Sequence, residues 1–342
     1  MNEEAENNET DELYEYLRFE VDPGQDLIRI DLFLLSKIQN ATRNKIQNGI
    51  KNELVRVNDK FVKANYKIKP GDIITTFLTE PPRDTTILAE DIPLDIMYED
   101  DDLLIVNKKA GMVVHPAHGN WSGTLVNALT FHFENLPTIG DREARPGLVH
   151  RIDKNTSGIL VIGKTDIAMQ ELGKQFFDHS LERKYQALVW GEPKEDSGTI
   201  TGNVGRSLKN RKIMTVFPEG EHGKHAVTHY KVLERFHYVT LIECQLETGR
   251  THQIRAHMKY LGHPLFNDAT YGGDRVLKGE VFSKYKAFVH NTFETLPRQA
   301  LHAKTLGFVH PVTKKFVQFD SELPQDFENA LERWRQYVIH KK

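Results

Sequence analysis

Asp153 is the residue of this chain best placed for chemistry. It lies in the string from Pro146 to Gly158, between an apolar run that predicts a strand over 148–152 and the small polar turn Thr156-Ser157-Gly158. Arg151, two residues earlier, would share a strand face with it, and the turn offers hydroxyls and backbone N–H donors. The combination predicts a positioned nucleophile or base. Read locally, the same string is also good chemistry for a simple chain reversal. A hydrolase built on Ser157 with a His and an Asp is a rival, weakened because Ser157 sits in Thr-Ser-Gly and not in a Gly-x-Ser-x-Gly elbow.

Two more strings carry polar chemistry. Arg183-Lys184-Tyr185 begins a predicted strand over 184–190, where the Tyr185 ring is either core or a functional face. Between Leu246 and His257, the residues Arg250, Thr251, His252, Gln253 and Arg255 crowd one turn, with Thr251 predicted to cap a helix over 251–261. That density exceeds what a solvated face needs. His115, His118 and His302 are weaker signals, expected at a loop and a sheet edge.

These strings need a scaffold. Further strands are predicted over 94–99, 103–107, 112–114, 158–163, 226–235, 238–247 and 306–310, and helices near 123–133, 166–178 and 325–339. Short turns can join most of the strand pairs, which predicts an α+β domain over 94–342 with a mixed, largely antiparallel sheet. Pro81, Pro82 and Pro93 mark a linker over 79–93. Ahead of it, residues 27–78 have their own organisation. Leu32, Leu35 and Ile38 recur at helical spacing, and Asn40-Ala41-Thr42 starts a second helix through Arg43, Ile46 and Ile50. Glu53 to Asn58 alternate as a strand, and Lys69-Pro70-Gly71-Asp72 turn the chain into another over 73–77.

Composition sets the outer bounds. A length of 342 residues favours two domains. No apolar run approaches the roughly 20 residues that span a bilayer, and the acidic Met-Asn-Glu-Glu start is unlike a signal peptide, so a cytoplasmic protein with no membrane partner is expected. Cys244 is the only cysteine, which excludes intrachain disulfides, and the 16 histidines show no close ligand pattern, so no metal is expected. The net charge of −3 conceals a division. Residues 1–26 hold ten acids and one base, Arg18, and are expected to be a disordered acidic tail; the other residues together carry +6. That surplus sits within 27–78, where Arg29, Arg43, Lys45, Arg56 and Lys60 are candidate RNA contacts.

Taken together, the motifs resemble the RluA/RluD-type pseudouridine synthases. The string from His150 to Gly158 is similar to the family's His-Arg-Leu-Asp-x-x-Thr-Ser-Gly core, departing from it at Ile152. Thr248 to Arg255 resembles its third motif and Arg183-Lys184-Tyr185 its tyrosine strand, while segments 262–265, 271–273 and 298–303 resemble flanking blocks. Residues 27–78 resemble the alpha-L RNA-binding module, with departures at Thr42 and at Lys51-Asn52-Glu53, where a glycine is common. The likeness covers about residues 28–330.

The resemblance implies a pseudouridine synthase fold and an isomerase acting on structured RNA; such a reaction, with no redox change or hydrolysis, needs no cofactor, and a monomer is expected because nothing in the sequence demands an oligomer. Large-subunit ribosomal RNA is the expected target; transfer RNA and a non-catalytic role in RNA binding or ribosome assembly are the alternatives. Asp153 is implied as the catalytic carboxylate. Three roles stay open for it: attack on carbon 6 of uracil, attack on the anomeric carbon, or removal of the ribose 2′ proton. All three need an ionised acid in a dry pocket, hence a cation beside it. A guanidinium at about 4 Å supplies roughly 4 kcal/mol at an effective dielectric of about 20. Arg250 is the favoured partner over Arg255, because it precedes the helix and can reach back to the sheet. Tyr185 is implied to stack on uracil and to take the proton from carbon 5. Arg151 would occupy the space left by the extruded base. His150, Thr156 and His252 complete the expected RNA contacts around the site, with His150 better suited to shaping the loop than to chemistry.

Overall fold

Strand β1 (Tyr14–Glu20) opens the first unit, Met1–Thr85, of the computed structural model, which describes residues 13–38, 41–79, 86–117, 119–133, 136–138 and 146–341. Helices α1 (Ile30–Lys37) and α2 (Arg43–Lys51) follow, then β2 (Val55–Val57), β3 (Lys60–Phe61) and β4 (Ile73–Leu78). The strands form an antiparallel sheet in the order β1-β4-β2-β3. Of the expected structureless tail over 1–26, residues 1–12 lie outside the described residues, and residues 14–20 form β1 instead. Leu17 and Phe19 turn inward along β1 while Glu15, Arg18 and Glu20 stay exposed, so the charges lie on the solvent side of an edge strand. The helical stripe is also corrected. Ile30, Phe33 and Leu34 are buried, whereas Leu32 and Leu35 are exposed. Thr42 caps α2 through its hydroxyl, which accepts from Lys45 N–H. Glu53, standing where a glycine is common, takes a left-handed φ of 61°. Of the expected linker, residues 80–85 lie outside the described residues, and 86–93 have no regular structure.

The second unit, Thr86–Lys342, is built on one large sheet. Its elements are β5 (Ile96–Glu99), β6 (Leu103–Lys108), α3 (Leu125–His132), β7 (Ser157–Gly163), α4 (Asp166–Asp178), β8 (Glu182–Trp190), β9 (Ser197–Arg206), β10 (Met214–Phe217), β11 (Lys224–Arg235), β12 (Val239–Leu246), α5 (Gln253–Tyr260), α6 (Ser283–Thr295), β13 (Leu301–Val309), β14 (Phe316–Asp320) and α7 (Gln325–Lys341). The ten strands run β10-β9-β11-β12-β8-β13-β7-β6-β5, with β14 on β13. Every pairing is antiparallel except β13 with β7, where His302 faces Ser157 and Ala303 faces Gly158. The α+β, largely antiparallel architecture expected from the sequence is the one observed. Helices α6 and α7 cover one part of the sheet through Trp190, Phe266, Phe293, Phe327 and Trp334. Among the described residues no helix is long and apolar enough to cross a membrane.

Two expected strands are absent. Residues 112–114 instead use the carbonyls of Val113 and Val114 to accept the first N–H groups of α3, satisfying its exposed amino end. Residues 148–152 form a loop whose backbone bridges to the sheet at Leu148, opposite Ile162. Strand β9 was masked by Gly198, Gly202 and Gly205, which carry no strand propensity.

Candidate active site

The loop into β7 and the turn before α5 meet over the middle of the sheet, around a cleft of about 520 Å³. Its lining includes His150, Arg151, Asp153, Thr156, Tyr185, Arg250, His252 and Arg255, so all eight expected site residues of this unit converge. The loop is anchored from below. Lys108, at the end of β6 and 1% exposed, donates from Nζ to the carbonyls of Lys109, Met112 and Lys154 at 2.9–3.0 Å. Burial pulls its ammonium down to about 7, with Arg298 adding to the effect and Asp153 opposing it. Three carbonyl acceptors match the three donors of a charged lysine. On the other side Gly158 has φ +115°, and a Cβ there would lie 2.2 Å from the Ala303 carbonyl oxygen.

Asp153 receives Arg255. Nη1 donates to Asp153 Oδ2 at 3.0 Å, while Nε and Nη2 of the same guanidinium donate to Asp268 at 2.7 and 2.8 Å. Burial alone lowers the Arg255 pKa, but Asp268 and then Asp153 raise it by more, so the net shift is upward. Asp268 also accepts the backbone N–H groups of Thr270 and Tyr271, and the Tyr271 ring lies 5.0 Å from the guanidinium carbon. The fork is thus locked by one carboxylate and presents its remaining edge to the other. Asp153 Oδ1 makes no hydrogen bond among the described residues, which leaves it for a ligand.

The preference for Arg250 is corrected. Its Nε donates to the His225 carbonyl at 3.0 Å and it pairs with no carboxylate among the described residues. The physical reason is the start of α5. Thr251 does not cap it; His252 is the N-cap residue, in a left-handed conformation at φ 53°, and the helix begins at Gln253. Gln253 pins the turn, accepting from Arg250 N–H and the Thr248 hydroxyl and donating to Val227 O and the Thr228 hydroxyl. This turns Arg250 toward β11, and Arg255, on the first turn of α5, faces Asp153. The strand-face pairing of Arg151 with Asp153 is corrected with the strand: Arg151 stands exposed at the cleft rim.

The remaining positions sort by burial. Tyr185 lines the cleft from β8, and burial raises its pKa, with Arg183 opposing and Asp153 adding to the rise. His252 places Nε2 3.8 Å from Asp153 Oδ2 and Nδ1 3.1 Å from the Tyr271 hydroxyl; burial holds it below the usual histidine range against the pull of Asp153. His150 accepts Val161 N–H on Nε2 and stacks on Phe176, and burial pushes it down to about 3. Thr156 is 1% exposed. Both line the cleft from within the loop that carries Asp153. The Ser157 hydroxyl meets His302 Nδ1 at 2.9 Å, but His302 Nε2 turns to the Ser321 hydroxyl and all three are buried. With no acid behind the imidazole and no access, the hydrolase reading fails. His118 lies outside the described residues.

Sequence reasoning missed Asp268, Tyr271 and Lys108. Asp268 and Tyr271 sit between and within blocks already noticed, 262–265 and 271–273; the buried Lys108 gave no signal beyond its place at a strand end. In the first unit, Arg29 and Arg43 are tied to Asp31, which is fully buried, at 2.9 and 3.4 Å, and Arg56 lies between the rings of Phe61 and Phe77. Lys45 and Lys60 are exposed with no ion pair among the described residues. Asp100, Asp102 and His310 come within 4.8 Å of one another, yet both Asp100 oxygens are already bonded, one by Asp102 and Leu103 N–H, the other by Tyr98 and His310. That set fits a hairpin clasp and not an open cation site.

Comparison with known proteins agrees with this geometry. Residues 102–260 match the RNA pseudouridylate synthase family and residues 28–74 the S4 domain. An RNA pseudouridine synthase of Chlorobaculum parvum is 47% identical over 93% of this chain and 98% of its own. Ribosomal large subunit pseudouridine synthase D of Zymomonas mobilis is 45% identical over 88% and 92%. The solved human RNA pseudouridylate synthase domain containing 1 shares the fold, with a TM-score of 0.53 at 24% identity over 73% of this chain and 96% of that one. The chain belongs to the RluA/RluD-type RNA pseudouridine synthases, isomerases that convert uridine to pseudouridine in RNA, and carries an S4 RNA-binding domain.

Proposed function

We propose that this enzyme isomerises uridines in large-subunit ribosomal RNA, with Asp153 as the catalytic carboxylate. The observation that carries the reading is the Asp268–Arg255–Asp153 chain at the floor of the cleft, which holds one acid oxygen and leaves the other open. Among the described residues lining the cleft, Asp153 is the one carboxylate. The reaction breaks the bond from the anomeric carbon to ring nitrogen 1 and forms one to carbon 5; nitrogen 1 gains a proton and carbon 5 loses one. Asp153 initiates it, and Arg255 stabilises the carboxylate whenever it is charged. Tyr185 offers a ring face for the uracil and a hydroxyl for the carbon 5 proton. The target base must leave its stack, at a cost of a few kcal/mol, and Arg151 at the rim is positioned to fill the space. The ribosomal target rests on the Zymomonas relative and its coverage of nearly the whole chain. The S4 domain supplies phosphate contacts from Lys45 and Lys60.

A single-turnover assay on total RNA from cells lacking the protein tests both parts. Wild type should restore pseudouridine at defined large-subunit positions and Asp153→Asn should restore none. Equal conversion by the two proteins would end the case for Asp153, and conversion confined to transfer RNA would end the case for the ribosomal target.

A further inference from the structure

Arg183 lines the cleft and has chemistry that the reaction leaves unused. It lies on β8 two residues before Tyr185, so the two side chains leave the same strand face, about 7 Å apart along it. Arg183 is 8% exposed, which is unusual for a guanidinium without a carboxylate. Nη2 donates to the Glu247 carbonyl at 3.2 Å, and Nε is buried with no hydrogen-bond partner among the described residues. The Glu247 carboxylate itself turns away to His229 at 2.6 Å. Other deeply buried arginines of this unit do have acids: Arg255 has Asp268, and Arg298 has Asp326 at 2.7 Å. Phe176 supports the group, its ring 5.6 Å from the guanidinium carbon. Across from it stands Gly249, where a Cβ would lie 2.8 Å from Nη1. The absence of a side chain there keeps that nitrogen reachable from the cleft.

Arg250, next to Gly249, also pairs with no acid among the described residues, and it bears on Arg183. Burial lowers the Arg183 pKa most, Tyr185 opposes, and Arg250 lowers it further. Two guanidiniums that repel each other at a cleft wall, one of them desolvated, are stabilised when an anion enters between them. The planar fork of arginine fits a phosphate better than any neutral group.

The geometry points to an anion subsite, formed by Arg183 and Arg250, that takes a phosphodiester of the RNA strand adjoining the target uridine. It rests on the reading that the cleft receives that nucleotide. A base lying against Tyr185 has its backbone within reach of a side chain two residues along the same strand face. The subsite would therefore hold the ribose and its phosphate while the glycosidic bond is broken.

The test uses a stem-loop RNA whose uridine the wild-type enzyme converts, with a neutral methylphosphonate replacing each of the two linkages flanking that uridine in turn. One of these should raise KM about tenfold for wild type, the size of a lost charge-assisted hydrogen bond, with kcat within about threefold. Arg183→Gln and Arg250→Gln should show a similar rise on the all-phosphate RNA and no further rise on that methylphosphonate RNA. Arg183→Lys should recover part of the loss. Arg250→Gln, on an exposed turn, keeps the test alive should Arg183→Gln fail to fold. Wild type indifferent to both neutral linkages, variant and linkage losses that multiply, or a fall in kcat at constant KM would each overturn the subsite. None of the three makes turnover independent of Asp153. Failure of the underlying active-site reading has a separate signature: Asp153→Asn converting this uridine as fast as wild type.

Discussion

Replacing Asp268 by Asn isolates the part of the site that sequence motifs do not show. Asp268 does not line the cleft, yet it takes two of the three donors that fix Arg255, at 2.7 and 2.8 Å. Asn keeps one acceptor oxygen and turns an NH₂ group against the other guanidinium donor. With Asp268 and Arg255 only 1% and 5% exposed, water cannot substitute. Removing one partner of a buried pair costs about 3–5 kcal/mol. For a unit of this size that lowers Tm by roughly 10 °C. The freed fork also loses its aim at Asp153, and a misplacement of about 1 Å costs on the order of 10²-fold in kcat. KM should hardly move. The assay is single-turnover pseudouridine formation beside a thermal melt, with Phe293→Leu, a core truncation outside the cleft, to show what loss of stability alone does to kcat. A variant with lowered Tm and wild-type kcat would refute the claim that Asp268 aims Arg255.

Acid should weaken the protein earlier than carboxylates alone would. Burial pushes His150 down to about 3 and His257 and His302 to about 4, all below the ordinary 6.5. The unfolded chain therefore takes up protons first as pH falls, and stability present above pH 6.5 is lost between 6.5 and about 4 for His257 and His302 and down to about 3 for His150. Each histidine should cost about 1.4 kcal/mol at pH 5.5, so a urea midpoint unchanged between pH 7.5 and 5.5 would contradict it. Gly158→Ala should lose more than about 3 kcal/mol, because the new Cβ meets backbone at 2.2 Å at a φ of +115°; a urea midpoint shifted by less than about 1 kcal/mol would contradict that. Lys45→Gln and Lys60→Gln should each reduce the slope of log affinity against log salt by about one, measured by filter binding. Arg29→Gln should instead lower the stability of the first unit, since it uncovers the buried Asp31.

Much of the site was legible because its chemistry is local in sequence. Asp153, Tyr185 and the cluster from Arg250 to Arg255 stand in strings whose residue types exceed what turns and faces require, and the cleft brings them together. The antiparallel bias of the sheet was likewise readable from short spacings between apolar runs. Burial was harder. Leu32 and Leu35 have the spacing of a core stripe and lie outside it, while the charged β1 lies in the sheet, because register depends on what each element packs against.

Chain order alone determined which groups the enzyme could use: an acid before a polar turn, an aromatic on a strand, and two arginines five residues apart. Which arginine meets the acid was decided only by the folded molecule. A left-handed His252 and the bonds of Gln253 rotate Arg250 away and bring Arg255 onto Asp153, 102 residues distant. Reach along a chain is set by covalent spacing, but the direction of a guanidinium is set by the carboxylates that three-dimensional packing puts beside it, and Asp268 becomes its neighbour only there.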